Sequence, residues 1–294
     1  MLGAIEAGGT KFVCAVGQKD GRLVERIQIN TDIPERTIPE VIAFFREFPI
    51  QAIGIASFGP IDINKESPTY GYIKSTPKPG WIDFPFVQTM EDAFHVPIHF
   101  TTDVDGAALG EWAYGAAKGH NSCLYMTVGT GIGAGAVVDG RLLRGLSHPE
   151  MGHISVRRHP EDSYEGFCPY HRDCIEGLAA GPAIEGRWGV KADMLHHEKA
   201  WEMEAYYLAE ALVQYILILS PEKIIMGGGV MKQKHLFPRI HSLVKEKLAG
   251  FVPLPDKLVH YIVPPQLGDD AGVTGALLMA KQILEKKKAC EKQK

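Results

Sequence analysis

Apolar residues follow two rhythms along the chain. At helical spacing they mark residues 38–48, 86–94, 201–219, 237–248 and 270–286 as helices, the third stopping before Pro221. An alanine-rich run over 103–118 reads as a further helix. Short apolar runs at 52–56, 98–102 and 223–226 read as strands, the first ending in the loop Ser57-Phe58-Gly59-Pro60. Strands alternating with helices predict an α/β protein with covered sheets.

A second pattern lies within the first. Residues 3–16 carry Gly8-Gly9-Thr10-Lys11 between two β-branched runs and lead into Asp20-Gly21-Arg22-Leu23. Residues 124–138 carry Gly129-Thr130-Gly131 between two such runs and lead into Asp139-Gly140-Arg141-Leu142. Each segment reads as strand, glycine turn, strand, Asp-Gly turn, strand. The offset of about 120 residues is too long for a solenoid repeat. It predicts two related domains, each opening on a β-hairpin.

Composition narrows the class. The 294 residues are 45% hydrophobic and 22% charged, enough to bury a core and too apolar for a disordered chain. With 31 Lys+Arg against 35 Asp+Glu, the formal charge of −4 offers no basic surplus for nucleic acid or an anionic membrane. The uncharged stretch 121–138 holds four glycines and two threonines, unlike a membrane helix. No basic region precedes the apolar N-terminal run, which argues against a secretory signal and for a cytoplasmic protein. The lysine-rich tail 285–294 reads as a solvated helix end.

Three glycine clusters and one carboxylate carry candidate chemistry. Gly8, Gly9, Thr10 and Lys11 sit between strands, which excludes a Walker A loop and a Rossmann fingerprint. Such a turn still brings backbone N–H groups and a hydroxyl to a phosphate, and Gly129, Thr130 and Gly131 repeat the arrangement. Each loop taken singly is equally an ordinary tight turn. Gly227, Gly228 and Gly229 follow a strand and either let a flat nucleoside approach or simply turn the chain. Asp103 stands where a strand gives way to a helix, as an N-cap or as a general base facing the crevice at a strand's carboxyl end. Asp105 competes with it, and periodicity does not rank the two.

His153, Cys168, His171 and Cys174 have the spacing H-x14-C-x2-H-x2-C. Four N and S ligands with two-residue gaps suit tetrahedral zinc; unconnected thiols or a disulfide are the alternatives. A closed set of four would be structural, with no position left for activating water.

These features, together with the strings Ile5-Glu-Ala-Gly-Gly-Thr-Lys-Phe-Val-Cys-Ala15, Ser57-Phe-Gly-Pro-Ile-Asp62 and Ser75-Thr-Pro-Lys-Pro-Gly-Trp81, resemble the ROK family of repressors, open reading frames and sugar kinases, in its bacterial fructokinase branch. The resemblance runs from the first strand to residues 269–276. It implies a two-domain actin-like, ribonuclease-H-like ATPase fold with a zinc-binding loop: an N-terminal domain over 1–118, completed by the helix 270–294, and a C-terminal domain over 119–269 with the zinc loop 153–174. It implies an ATP-dependent hexose kinase, foremost a fructokinase acting on the 6-hydroxyl, with a broader hexokinase or mannokinase as alternative. Asp103 then matches the catalytic base. Glu150, His153, Glu176, Gly59 and Thr102 match sugar-binding positions. The first two glycine loops match phosphate positions, and 227–229 the adenosine loop. ATP, Mg²⁺ and structural Zn²⁺ are the implied cofactors, and a homodimer the implied assembly. The family's repressors carry an N-terminal winged helix-turn-helix, for which a first strand beginning by Ala4 leaves no room. The chain departs from the family pattern at Glu6, where Asp is usual, at Thr102 and Asp105, where Asn is common, and in its C-x-x-H-x-x-C zinc run.

Overall fold

The structure, a computed structural model, describes residues 1–291. Contacts divide the chain into two units. One comprises Met1–Ala113, Leu142–His148 and the C-terminal segment from Asp269; the other comprises Tyr114–Arg141 and Pro149–Gly268.

In the first unit, β1 (Leu2–Ala7), β2 (Lys11–Gly17) and β3 (Leu23–Asn30) form an antiparallel meander. After α1 (Pro34–Arg46), β4 (Ala52–Ser57) joins parallel to β1; after α2 (Phe86–Phe94), β5 (Ile98–Thr102) joins parallel to β4. The sheet order is β3-β2-β1-β4-β5. Both β1 and β4 are buried along nearly their whole length, so they read as continuous apolar runs instead of alternating ones. Phe12, Trp81, Phe86 and Phe100 fill one layer of core, with Trp81 Nε1–H donating to the Asp32 carbonyl at 2.7 Å.

Helix α1 begins four residues earlier than the apolar spacing predicts, because Pro34 opens it and needs no N–H partner there. Helix α3 (Asp103–Tyr114) ends before Gly115, four residues short of the expected end, and the chain leaves it in a turn closed by Lys118 N–H on the Gly115 carbonyl.

The second unit repeats the plan. β6 (Cys123–Val128) and β7 (Ile132–Val138) are antiparallel, followed by the short β8 (Arg141–Leu142). Then come α4 (Ile175–Ala179), α5 (Gly181–Trp188) and α6 (Glu198–Leu219). β9 (Ile224–Gly227) joins parallel to β6 and, after α7 (Leu236–Leu248), β10 (Ile262–Val263) joins parallel to β9. The order β10-β9-β6-β7-β8 is that of the first sheet, strand for strand. The repeat visible in the hairpins therefore extends over both whole sheets. A buried network ties this unit together. Arg187 pairs in bidentate fashion with Asp162 at 3.1 and 3.0 Å, and Tyr207 Oη–H donates to the same carboxylate at 2.5 Å.

The last helix, α8 (Ala271–Glu291), returns to the first unit and packs on β1 and β4. It also meets α3 closely enough that a Cβ at Gly275 would lie 1.8 Å from the Gly106 carbonyl oxygen. The tail expected from 285 onward is helical as far as Glu291, and residues 292–294 lie outside the described residues. The segment Leu142–His148, placed in the second domain from sequence, groups with the first unit. Arg144 Nη2–H donates to Thr101 Oγ1 at 3.2 Å, and the His148 ring meets the backbone of Ile61. Among the described residues no helix is long and apolar enough to cross a membrane.

Candidate functional site

Parallel strands deliver their loops to one edge. In the first unit Ala7, Ser57 and Thr102 are register partners across β1, β4 and β5, so the residues that follow them stand side by side: Gly8, the Phe58–Gly59 turn and Asp103. This is the carboxyl edge at which α/β sheets take ligands. The first loop closes on itself through Gly8 N–H to the Lys11 carbonyl at 3.0 Å, and Thr31 braces it by donating to the Gly8 carbonyl at 2.7 Å. Thr10 and Lys11 are exposed.

The two carboxylates after β5 now separate. Thr102 is the N-cap of α3, its Oγ1 accepting the Asp105 N–H at 3.2 Å, while Asp103 Oδ1 accepts the Val104 N–H at 2.8 Å, so the two residues share the helix start. Asp105 is 1% exposed and accepts Thr101 Oγ1–H at 2.7 Å, which commits it to the interior. Burial raises its pKa, with the Thr101 hydrogen bond and Arg144 opposing. Asp103 is half-buried in the first turn of α3. Glu6, one residue short of the end of β1, lies near it. Burial first, and then the Asp103 charge, push the Glu6 pKa up to about 7, against a hydrogen bond from the Val273 backbone N–H at the start of α8. Among the described residues its Oε2 has no hydrogen-bond partner.

In the second unit Thr127 and Gly227 are partners across β6 and β9, which sets Gly129 beside the third glycine cluster. Two of those three glycines are explained by the protein itself. A Cβ at Gly228, whose φ is +91°, would lie within 2.6 Å of the Val128 backbone, and one at Gly227 would meet the Tyr125 hydroxyl at 2.4 Å. Gly229 alone opens onto empty space. Thr130 is exposed, as Thr10 is in the first unit.

The four His and Cys residues converge. Cys168 Sγ lies 3.7 Å from His153 Nδ1 and 3.8 Å from His171 Nδ1, and Cys174 Sγ lies 3.5 Å from His153 Nδ1. All four donor atoms fall within 4.8 Å of one another. Bonds of about 2.3 Å to sulfur and 2.0–2.1 Å to nitrogen at tetrahedral angles put neighbouring S and N about 3.6 Å apart, so the donor set fits one ion. Burial, reinforced by Cys168, pushes the Cys174 thiol up to about 12, so a cation is needed to hold the pair as thiolates. His153 presents Nδ1 to the cluster. Among the described residues no disulfide forms.

A model of the ROK family matches residues 2–283. The chain belongs to the ROK family. A relative from Bacillus subtilis (strain 168) is 58% identical over 97% of each chain. The fructokinase of Pediococcus pentosaceus is 45% identical over 97% of this chain and 99% of its own. The ROK hexokinase of Thermus thermophilus has the same fold, with a TM-score of 0.82 at 28% identity over 97% of this chain and 99% of that one. The ROK architecture is thus the two-domain actin-like, ribonuclease-H-like α/β fold that the motifs imply.

Two further candidates, Glu150 and Glu176, lie close in sequence to the His and Cys residues of the cluster. Glu150 is exposed just before the turn Met151–His153, and Glu176 is half-buried on α4, whose N-cap is Cys174. Two contributors escape sequence reading. Lys78 is half-buried beside the first loop, its Cε 3.1 Å from the Cβ position of Gly9. It sits inside the string 75–81, which signals the branch without revealing the lysine's neighbour. Glu176 Oε2 also accepts the Ile132 N–H at 3.0 Å, a contact no spacing foretells.

Proposed function

We propose that this ROK protein is an ATP-dependent fructokinase, transferring the γ-phosphate to the 6-hydroxyl of fructose. The observation that carries the reading is the division of labour after β5. Asp105 and Thr102 serve the interior and the helix start, whereas Asp103, half-buried and accepting the Val104 N–H at 2.8 Å, stands on the ligand edge. Full-length relatives named fructokinase, at 45% and 42% identity, supply the substrate class.

In this mechanism Asp103 accepts the proton of the sugar hydroxyl as its oxygen attacks the γ-phosphorus and ADP leaves. Backbone N–H groups and the Thr10 and Thr130 hydroxyls hold phosphate oxygens, Lys11 adds positive charge, and Gly229 leaves room for the nucleoside. Gly59, Thr102, Glu150, His153 and Glu176 bind sugar hydroxyls. Mg²⁺, arriving with the nucleotide, would neutralise charge on the β- and γ-phosphates; Glu6 and Asp103 are the carboxylates nearest that edge. Zn²⁺ would be held by His153, Cys168, His171 and Cys174 and would shape the loop that carries Glu176. We assign the protein to the cytoplasm as a homodimer, an assembly that light scattering measures directly.

The test is a coupled kinase assay over hexoses. Fructose should give a kcat/KM at least about tenfold above mannose and glucose, a ratio within reach of a few pocket contacts. Equal values for all three would favour the broader hexokinase, in line with the Thermus thermophilus likeness, and no turnover of any hexose would refute the kinase.

A further inference from the structure

We infer that the metal loop also clasps the loop Gly129-Thr130-Gly131 through the backbone of Ile132, with Glu176 as the positioning residue. The nature of the ligand on that loop rests on the kinase reading; the clasp itself does not.

Ile132 is the first residue after the loop and the first of β7. Its two peptide groups meet the two flanks of the metal loop. Its N–H is held by Glu176 Oε2 at 3.0 Å, two residues after the ligand Cys174. Its carbonyl is covered by Gly152, the residue before the ligand His153, so closely that a Cβ there would lie 1.7 Å from the oxygen. A bridge between Ser155 and Cys174, and Ile175 N–H on the Ile154 carbonyl at 3.0 Å, hold the flanks against each other. The metal ligands complete the closure, His153 Nδ1 and Cys174 Sγ lying 3.5 Å apart. One ion bonded to both would therefore lock the jaws on a single residue's backbone.

The glycine loop is fitted to this hold. A side chain at Gly131 would strike Glu176 Oε2 at 2.6 Å, so glycine here makes room for a carboxylate and not only for a ligand. Gly129 is tied as well, its carbonyl accepting the Gly181 N–H from the start of α5 at 2.7 Å, and its own N–H donating to the Gly131 carbonyl at 2.9 Å. Glu176 has two oxygens. One holds Ile132, and the other is left for a sugar hydroxyl, so one carboxylate positions the phosphate loop while it reads the sugar.

Nucleotide binding without sugar, measured by calorimetry with Mg²⁺–AMPPNP, tests the clasp when paired with amide hydrogen exchange over residues 129–133. Four samples of the full chain suffice: metal-loaded wild type, a metal-stripped form with Mg²⁺ restored, Glu176→Gln and Glu176→Ala. Glutamine keeps an oxygen that accepts the Ile132 N–H, so Glu176→Gln should bind nucleotide within about threefold of wild type while losing sugar affinity. Glu176→Ala and the stripped protein should each bind about tenfold more weakly, the loss expected when a charge-assisted hydrogen bond goes, and should expose the Ile132 amide to exchange. Wild-type nucleotide affinity and unchanged Ile132 protection in Glu176→Ala would overturn the inference. Loaded wild type that binds no nucleotide would refute the kinase reading instead, and the exchange data would still decide the clasp.

Discussion

Replacing Glu6 by glutamine should stabilise the ligand-free protein at alkaline pH and do much less so at acid pH. In the folded state burial and the Asp103 charge raise this carboxyl from 4.5 to about 7. A raised carboxyl pKa means that the folded chain holds its proton longer than the unfolded chain. Below 4.5 both states are protonated and Glu6 costs nothing. Between 4.5 and about 7 the unfolded chain ionises first and stability falls; above 7 the full cost is present. At about 1.4 kcal/mol per tenfold change in proton affinity, the rise from 4.5 to about 7 makes that full cost about 3.5 kcal/mol. Glutamine removes the titration and keeps an oxygen for the Val273 N–H. Urea unfolding of variant and wild type at a series of pH values gives the difference directly, and it should grow by about 2–3 kcal/mol between about pH 5 and pH 8.5, then level off. A difference that does not change with pH would show that Glu6 ionises normally in the fold and that neither burial nor Asp103 perturbs it.

Other perturbations read other parts of the molecule. Asp103→Asn should lower kcat by about 10²–10⁴ while leaving nucleotide affinity within about twofold, and retention of a tenth of wild-type turnover would remove Asp103 from the base role. Lys78→Met should raise the KM for ATP several-fold, since the ammonium borders the first glycine loop; steady-state kinetics checks it. Arg187→Met should destabilise the protein by about 3 kcal/mol, because Asp162, whose side chain is 2% exposed, loses its bidentate partner and keeps only Tyr207, the Tyr164 N–H and the more distant Arg158; thermal unfolding reads this. Cys174→Ser should abolish stoichiometric zinc in metal analysis of protein purified without chelator.

The sequence discloses the architecture well where local chemistry and fold agree. The hairpin turns at Gly8–Gly9 and Gly129–Gly131, and the buried β1 and β4, announce themselves in glycine and β-branched residues because turns and covered strands require them. The metal donors are legible for the same reason: three of the four lie within seven residues, and spacing alone brings them to one point. What stays hidden depends on partners distant in the chain. Thr102 and Asp103 are equally good caps on paper, and only the structure shows them sharing the helix start, on the Asp105 and Val104 N–H groups. Gly228 reads equally as a ligand glycine or a turn, and the Val128 backbone behind it adds a packing reason that no spacing shows. Helices α4 and α5 are short and follow an irregular loop, so no periodicity marks them. Lys78 and the Glu176–Ile132 bond join segments separated by 44 residues or more, beyond the range of any local rule.

The return of α8 to the first unit has a consequence for the order in which the protein takes shape during synthesis. Domains commonly fold from the N-terminus as the chain leaves the ribosome. Here every residue of the second unit, through Gly268, is made before α8 exists. Until then β1 and β4 lack the helix that covers them, and Gly54 lacks the Ala276 backbone that fills its missing side chain. The half that begins first in the gene is the half that finishes last. A nascent chain stalled before residue 269 should therefore protect β6 and β9 from proteolysis while β1 and β4 remain open to it.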